Sequence, residues 1–170
     1  MNKLLQYLQT HRHLAVAIAA ASAVILSAAY ISQYGFGLKP CILCLYQRGP
    51  YALNIVLGGF AFLATFRYPR LALALLYLSV LSFFADAVIA GFHVGVEQDW
   101  WKGLPSCGGD IVPQNVTIEQ LRESLTHQQI VRCDKPAWVL FGISMAGYNF
   151  AIALASAFGV IYFLRKKHGA

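Results

Sequence analysis

The chain has 170 residues, of which 58% are apolar and only 12% are charged, and its formal net charge is +6. This composition excludes a soluble globular domain. It also gives no reason to expect nucleic-acid binding, because the basic residues collect at the ends of long uncharged segments and so reflect membrane topology.

Four uncharged segments predict membrane-spanning helices. Each is close to the ~17 to 25 residues that cross ~30 Å of hydrocarbon, and only Asp86 places a charge inside one. Because backbone groups in lipid must bond within their own segment, we expect an all-α membrane protein with one four-helix domain over residues 1–170. The predicted spans are about 14–31, 49–66, 71–92 and 137–164. Small residues suited to close helix packing are Gly58, Gly59, Gly142, Ser144, Ala146 and Gly147.

The placement of charge predicts the orientation of the chain. Basic residues without acidic neighbours should lie in the cytoplasm, which puts both termini inside and the loops 32–48 and 93–136 outside. These basic residues are Lys3, Arg12, Arg67, Arg70, Arg165, Lys166 and Lys167. A cleaved signal peptide is an alternative for the first segment, since it ends in Ser27, Ala28 and Ala29, but its length favours a retained span.

All four cysteines lie on the two predicted external loops. They are Cys41, Cys44, Cys107 and Cys133. Disulfides persist in oxidising compartments, so the simplest location is the bacterial inner membrane with the cysteines facing the periplasm.

Cys41 and Cys44 form a Cys-x-x-Cys pair at the start of the second span. This spacing brings two sulfurs within bonding distance, and a helix amino terminus favours a thiolate. Arg48 lies four residues after Cys44, so we expect it to lower the pKa of Cys44 by about two units and to bind a quinone together with Cys44. Pro50 predicts that the helix begins at Gln47, which leaves Cys44 just outside it. A plain disulfide between the two cysteines is the alternative.

The second external loop carries the other two cysteines, with 25 residues between Cys107 and Cys133. A zinc site is disfavoured because this pair has no short spacing, and no metal is expected. A structural disulfide is the main alternative to a redox role, but Gly108 and Gly109 favour an accessible Cys107. Within the loop, Thr117 and Gln120 predict a capped amphipathic helix that lies either on the membrane surface or against the bundle.

The chain resembles the disulfide bond formation protein B family. The resemblance covers almost the whole sequence and is most specific in Pro40-Cys41-x-x-Cys44-x-x-x-Arg48 and in the segment 133–142, Cys-Asp-Lys-Pro-Ala-Trp-Val-Leu-Phe-Gly. It implies a periplasmic thiol oxidase that reoxidises a soluble dithiol oxidase of thioredoxin fold, similar to DsbA, and passes electrons to ubiquinone or menaquinone.

The resemblance also implies a role for each cysteine. Cys41 and Cys44 would be the quinone-coupled pair, and Cys107 and Cys133 would exchange with the partner. Cys107 would form the mixed disulfide, Cys133 would resolve it, and Cys41 would bond transiently to Cys133.

The sequence leaves the roles of Gln98, His93 and Asp86 open. Some relatives carry Glu-His where this chain has Glu97-Gln98, so the role of that histidine is not transferred. His93 is interpreted as an interfacial residue, with a catalytic role as the alternative. Asp86 is either a buried functional carboxylate or a solvated structural one.

Two other functions fit parts of the pattern. A membrane scaffold or receptor with two structural disulfides would need the same cysteines but no redox cycle. Vitamin K epoxide reductases also combine four helices, paired cysteines and quinone chemistry. Their Cys-x-x-Cys pair belongs near the last span, whereas this one follows the first.

Overall fold

The computed structural model describes residues 3–107 and 131–166, with the side chains of residues 3–7 excepted. Its elements are α1 (Lys3–Gly35), α2 (Ile42–Ala64), α3 (Pro69–Glu97), a 3-10 turn (Pro105–Cys107), β1 (Val139–Leu140), β2 (Ile143–Ser144) and α4 (Met145–Lys166). The amphipathic helix expected after Thr117 lies outside the described residues.

Long apolar helices dominate the described chain. Leu8–Gly35, Pro69–Glu97 and Met145–Lys166 are each long and apolar enough to cross a membrane. The 23-residue α2 carries the polar residues Arg48 and Asn54 and packs between α1 and α3, while α3 packs on α4. The expected helical membrane bundle is therefore confirmed.

Small residues let α1 and α2 approach closely. A Cβ placed on Gly58 would lie 2.7 Å from the Ala15 carbonyl oxygen and 3.0 Å from the Ala19 Cβ. Neighbouring Gly59 differs, since a Cβ there would meet no described atom within 4 Å. Of these two glycines, therefore, Gly58 alone is required by the helix contact.

The start of α1 lies beside the carboxyl end of α2. The Arg12 guanidinium on α1 is 4.5 Å from the ring centre of Phe62 and 5.4 Å from that of Phe66, at the carboxyl end of α2. Because α1 and α2 run in opposite directions, this contact puts the start of α1 and the loop before α3 on one side. Cys41 and Cys44 lie at the opposite end of α2.

The predicted start of α2 was wrong. The helix begins at Ile42 and continues through Pro50. Cys41 caps it, since its sulfur accepts a hydrogen bond from the Cys44 backbone N–H at 3.3 Å. The proline turn is held against α3 by Ser82, whose hydroxyl donates to the Pro50 carbonyl oxygen at 3.1 Å. Cys44 therefore lies inside the first helical turn.

The predicted span 137–164 was also wrong in its first eight residues. These residues include a short antiparallel hairpin in which Val139 pairs with Ser144 and Leu140 with Ile143, and α4 begins only at Met145. The two-residue turn consists of Phe141 and Gly142, with φ of 49° and 80°. Two successive positive φ angles suit a hairpin turn and cannot occur in a right-handed helix.

Candidate redox site

A cavity of about 630 Å³ lies at the cysteine end of α1, α2 and α4. Its wall is mainly apolar, with α1 contributing Val24, Ile25 and Ala28. A few polar groups converge on it: Cys41, Cys44, Gln47, Arg48, Tyr51, His93, Glu97 and Asn149. A largely apolar cavity with a small polar set suits an aromatic or quinone-like ligand that arrives from the membrane.

Cys41 and Cys44 are unbonded thiols in contact. Their sulfurs are 2.7 Å apart. Cys41 is buried, whereas Cys44 is partly exposed and lines the cavity. Both cysteines therefore lie at the cavity, and Cys44 is the more exposed of the two residues.

The structure places the thiolate on Cys41 rather than on Cys44. The hydrogen bond from the Cys44 thiol and the contact with His93 lower the pKa of Cys41, against the opposing effect of burial. The same hydrogen bond, together with burial, raises the pKa of Cys44. The prediction that Arg48 lowers the pKa of Cys44 was wrong, because Cys41 and burial have the largest effects on Cys44.

His93 lies beside the cysteine pair and is not an interfacial residue. It is only 3% exposed, and its Nε2 is 3.6 Å from the Cys41 sulfur and 3.8 Å from Glu97 Oε1. Its Nδ1 is 3.1 Å from Gln47 Nε2. The Cys133 backbone also contributes a hydrogen bond to His93. His93 therefore contacts both cysteine pairs.

Asp86 belongs to a buried cluster next to the cavity. It is fully buried, which excludes the solvated role. Asn149 Nδ2 on α4 donates both to Asp86 Oδ2 at 3.1 Å and to Gln47 Oε1 at 3.0 Å. The Tyr51 hydroxyl donates to Asn149 Oδ1 at 2.6 Å. A continuous hydrogen-bonded path thus connects Asp86, through Asn149 and Gln47, to His93.

Arg48 lines the cavity but is held by α1. Its Nη1 donates to Gln33 Oε1 at 2.6 Å, and its guanidinium is 4.9 Å from the centre of the Tyr30 ring. Both contacts fix a permanent cation at the cavity wall. This position fits a ligand whose oxygen becomes negatively charged.

Cys107 and Cys133 form a disulfide with a Cα–Cα distance of 5.0 Å. Cys107 is 4% exposed and Cys133 is fully buried, so the expected accessibility of Cys107 is not found in this conformation. Both pack in one cluster with Cys41, Leu43 and Val96. The fold therefore brings the two predicted pairs together.

Among the described residues, one group could ligate a metal ion. Cys41, Cys44 and His93 offer ligand atoms that lie within 4.8 Å of one another. The same three residues form the redox-site contacts described above.

The sequence predicted the four cysteines and Arg48 but not the polar residues between them. Gln47, Tyr51 and Asn149 were not predicted, although Cys44, Gln47 and Tyr51 follow a helical spacing of three and four residues. His93 and Glu97 follow the same spacing on α3. Asn149 has no comparable signal, because only the packing of α4 on α3 brings it to Asp86.

Comparison with known proteins decides the family. The family model described as disulfide bond formation protein DsbB matches residues 11–163. The chain belongs to the DsbB family.

Curated relatives of this DsbB-family chain cover most of its length. An uncharacterized protein of Rickettsia prowazekii is 30% identical over 99% of this chain and 98% of its own. The disulfide bond formation protein B of Psychrobacter arcticus is 28% identical over 81% and 80%. That of Xanthomonas euvesicatoria is 31% identical over 84% and 83%. Family membership and the apolar helices identify a disulfide-forming membrane oxidoreductase.

Proposed function

We propose that this DsbB-family protein is a thiol:quinone oxidoreductase of the bacterial inner membrane. It reoxidises a soluble periplasmic dithiol oxidase of thioredoxin fold, similar to DsbA, and passes the electrons to ubiquinone or menaquinone. The observation that carries this proposal is the junction of three elements: a buried disulfide, a Cys-x-x-Cys pair with its sulfurs in contact, and an apolar cavity.

The first step is thiol–disulfide exchange at the external pair. The reduced dithiol of the partner attacks the Cys107–Cys133 disulfide, and the partner leaves with its own disulfide while Cys107 and Cys133 become thiols. Both cysteines are buried in this conformation, so this exchange requires the surrounding residues to move aside.

The second step passes the electron pair between the cysteine pairs. Cys133 attacks the oxidised Cys41–Cys44 disulfide at Cys41, and Cys107 then resolves the Cys41–Cys133 bond. The Cys107–Cys133 disulfide is restored, and Cys41 and Cys44 are left as two thiols. The packing of Cys41 with Cys107 and Cys133 in one cluster supports this route.

The last step forms the Cys41–Cys44 disulfide at the cavity. Two thiols lose two electrons and two protons, and the quinone takes up both and becomes a quinol. Cys44 lines the cavity and would contact a quinone bound there, and the electron pair released as the Cys41–Cys44 disulfide forms would pass to that quinone. Arg48 stabilises negative charge on a quinone oxygen, and His93 lies where it can exchange a proton with Cys41.

The function is tested by steady-state quinone reduction. Purified protein is mixed with a reduced thioredoxin-fold dithiol oxidase and either ubiquinone or menaquinone. We expect quinol and oxidised partner to form in equal amounts, and Cys44→Ser to abolish both. If the wild-type protein forms no quinol with either quinone, the alternative of a scaffold with two structural disulfides is favoured.

Exchange at the external pair has its own test. Cys133→Ala should trap a mixed disulfide between Cys107 and the partner, visible on non-reducing gels, when the partner is supplied with its active-site disulfide intact: the Cys107 thiolate attacks that disulfide, one partner sulfur leaves as a thiol, and Cys133 is no longer there to resolve the bond. Cys107→Ala is the matched control and should trap none. An adduct in the control alone would reverse the roles of the two cysteines.

A further inference from the structure

Asp86 is separated from Cys41 along the hydrogen-bonded path by Asn149, Gln47 and His93. It is fully buried and bonds to Asn149 and not to either cysteine. A buried carboxyl group inside a span is costly, so its retention calls for a physical explanation. The explanation lies in which atom donates and which accepts in each hydrogen bond of the path.

The first hydrogen bond of the path has a fixed direction. Asp86 Oδ2 accepts from Asn149 Nδ2 at 3.1 Å, which requires the carboxyl group to be ionised or to carry its proton on Oδ1, an atom with no hydrogen-bond partner among the described residues. The Asn149 atom facing it must therefore be the amide nitrogen. The Tyr51 hydroxyl supports the same orientation by donating to Asn149 Oδ1.

This direction passes along the path. Because Asn149 Nδ2 also faces Gln47 at 3.0 Å, the Gln47 atom there must be the accepting oxygen. Gln47 then presents its amide nitrogen to His93 Nδ1 at 3.1 Å, so Nδ1 must be the unprotonated acceptor. The neutral ring consequently carries its proton on Nε2, which faces the Cys41 sulfur and Glu97.

We propose that Asp86 is a positioning residue that fixes the tautomer of His93 through Asn149 and Gln47, so that the Nε2–H group points at Cys41. The imidazole then donates to the Cys41 thiolate and is held away from the opposite tautomer, which would present a lone pair to the sulfur.

The role assigned to Asp86 is hydrogen-bond acceptance, not charge. An asparagine at this position can place its oxygen where Oδ2 lies and keep the direction of the path. An alanine cannot, and it leaves the orientation of Asn149 to Tyr51 alone, whose hydroxyl can donate or accept. The two substitutions are therefore expected to differ.

The test is the tautomer of His93, read from the ring nitrogen shifts of reduced protein labelled with 15N-histidine. The His93 signals are assigned by their loss in His93→Gln. We expect a single Nε2–H tautomer in the wild type and in Asp86→Asn, and a mixture in Asp86→Ala and Asn149→Ala. Ser82→Ala, also on α3, is the matched control and should keep the wild-type tautomer.

A second readout follows the reactivity of Cys41. The pH midpoint for its alkylation should rise by about one unit in Asp86→Ala and stay unchanged in Asp86→Asn, since one hydrogen bond to the thiolate is lost only in the former. Quinone reduction should fall several-fold in Asp86→Ala. Should that variant not fold, Asn149→Ala tests the same path by nitrogen shifts alone.

The inference rests on the proposed function for its catalytic meaning, but the nitrogen shifts do not depend on quinone chemistry. A wild-type Nε2–H tautomer that persists in both alanine variants would overturn the role of Asp86, as would a mixture in Asp86→Asn. Failure of quinone reduction in the wild type with the expected shifts would instead overturn the proposed function alone.

Discussion

At the residue scale, the two cysteines of the Cys-x-x-Cys pair differ in their surroundings. Both line the cavity, but Cys41 is buried, accepts hydrogen bonds from the Cys44 thiol and backbone and contacts His93, whereas Cys44 is partly exposed. The pair is thus divided into a sulfur that ionises and a sulfur that meets the ligand. Sequence reasoning assigned both roles to Cys44, because it considered Arg48 and the helix dipole but not the hydrogen bonds of the fold.

The pH dependence of alkylation should distinguish the two cysteines. In a reduced chain with Cys107 and Cys133 changed to alanine, Cys41 and Cys44 are both kept and reacted briefly with a small neutral reagent, and the label on each is quantified by peptide mass spectrometry. Because the pKa of Cys41 is lowered, its rate should change little from about pH 8 to about pH 7. The rate at Cys44 should fall about tenfold. The reverse pattern would show that Cys44, not Cys41, is the cysteine with the lowered pKa.

Arg48 offers a test of charge at the cavity wall. Arg48→Met removes a cation worth ~2 kcal/mol to a developing oxyanion, so quinone reduction should slow by roughly tenfold to a hundredfold. Mixed-disulfide formation in a Cys133→Ala background should hardly change. Arg67→Met is the control, because Arg67 lies near Tyr68 at the other end of the bundle. Unaltered quinone kinetics in Arg48→Met would leave Arg48 as a structural anchor to α1.

At the element scale, the sequence predicted the helices well and their ends poorly. Length and hydropathy suffice for the interiors of α1, α3 and α4. The start of α2 depends on a sulfur cap and on Ser82 of another helix, and neither is visible in a hydropathy pattern. The hairpin at Phe141 and Gly142 was missed because its residues are as apolar as the span that follows.

The contact between α1 and α2 should be sensitive to one methyl group. Gly58→Ala places a Cβ against the Ala15 carbonyl oxygen and should destabilise the protein by about 1–3 kcal/mol. Gly59→Ala, on the open face, should be neutral or stabilise by up to ~1 kcal/mol through helix propensity. Unfolding of the detergent-solubilised protein, followed by circular dichroism, measures both. Equal effects would contradict the close approach at Gly58.

At the scale of the whole molecule, Arg12 and the cysteine pairs lie at opposite ends of α2. Arg12 packs near the carboxyl end of α2, and the cysteine pairs meet near its amino end. The sequence predicted this separation, because the loops with basic residues and no acidic ones alternate along the chain with the loops that carry the cysteines. It could not predict which residues meet inside the bundle, because the contacts of Asn149 with Asp86 and Gln47 join positions 63 and 102 residues apart.

The orientation in the membrane is tested by reporter fusions. Alkaline phosphatase is active only outside the cytoplasm, so a fusion after Gln114 should be active and one after Pro69 inactive. The physical reason is the retention of Arg67 and Arg70 on the cytoplasmic side. Activity at Pro69 would invert the predicted topology and place the cysteines in the cytoplasm.

The cavity wall on α1 also determines which quinone concentration governs the rate, that in the buffer or that in the bilayer. Val24 lines the cavity and is 69% exposed on a helix long enough to span the membrane, so the cavity reaches the lipid-facing surface. A hydrophobic quinone would then enter sideways from the bilayer. Its effective concentration is its mole fraction among the lipids, so adding buffer to proteoliposomes leaves the encounter rate unchanged, whereas fusing in empty lipid lowers it.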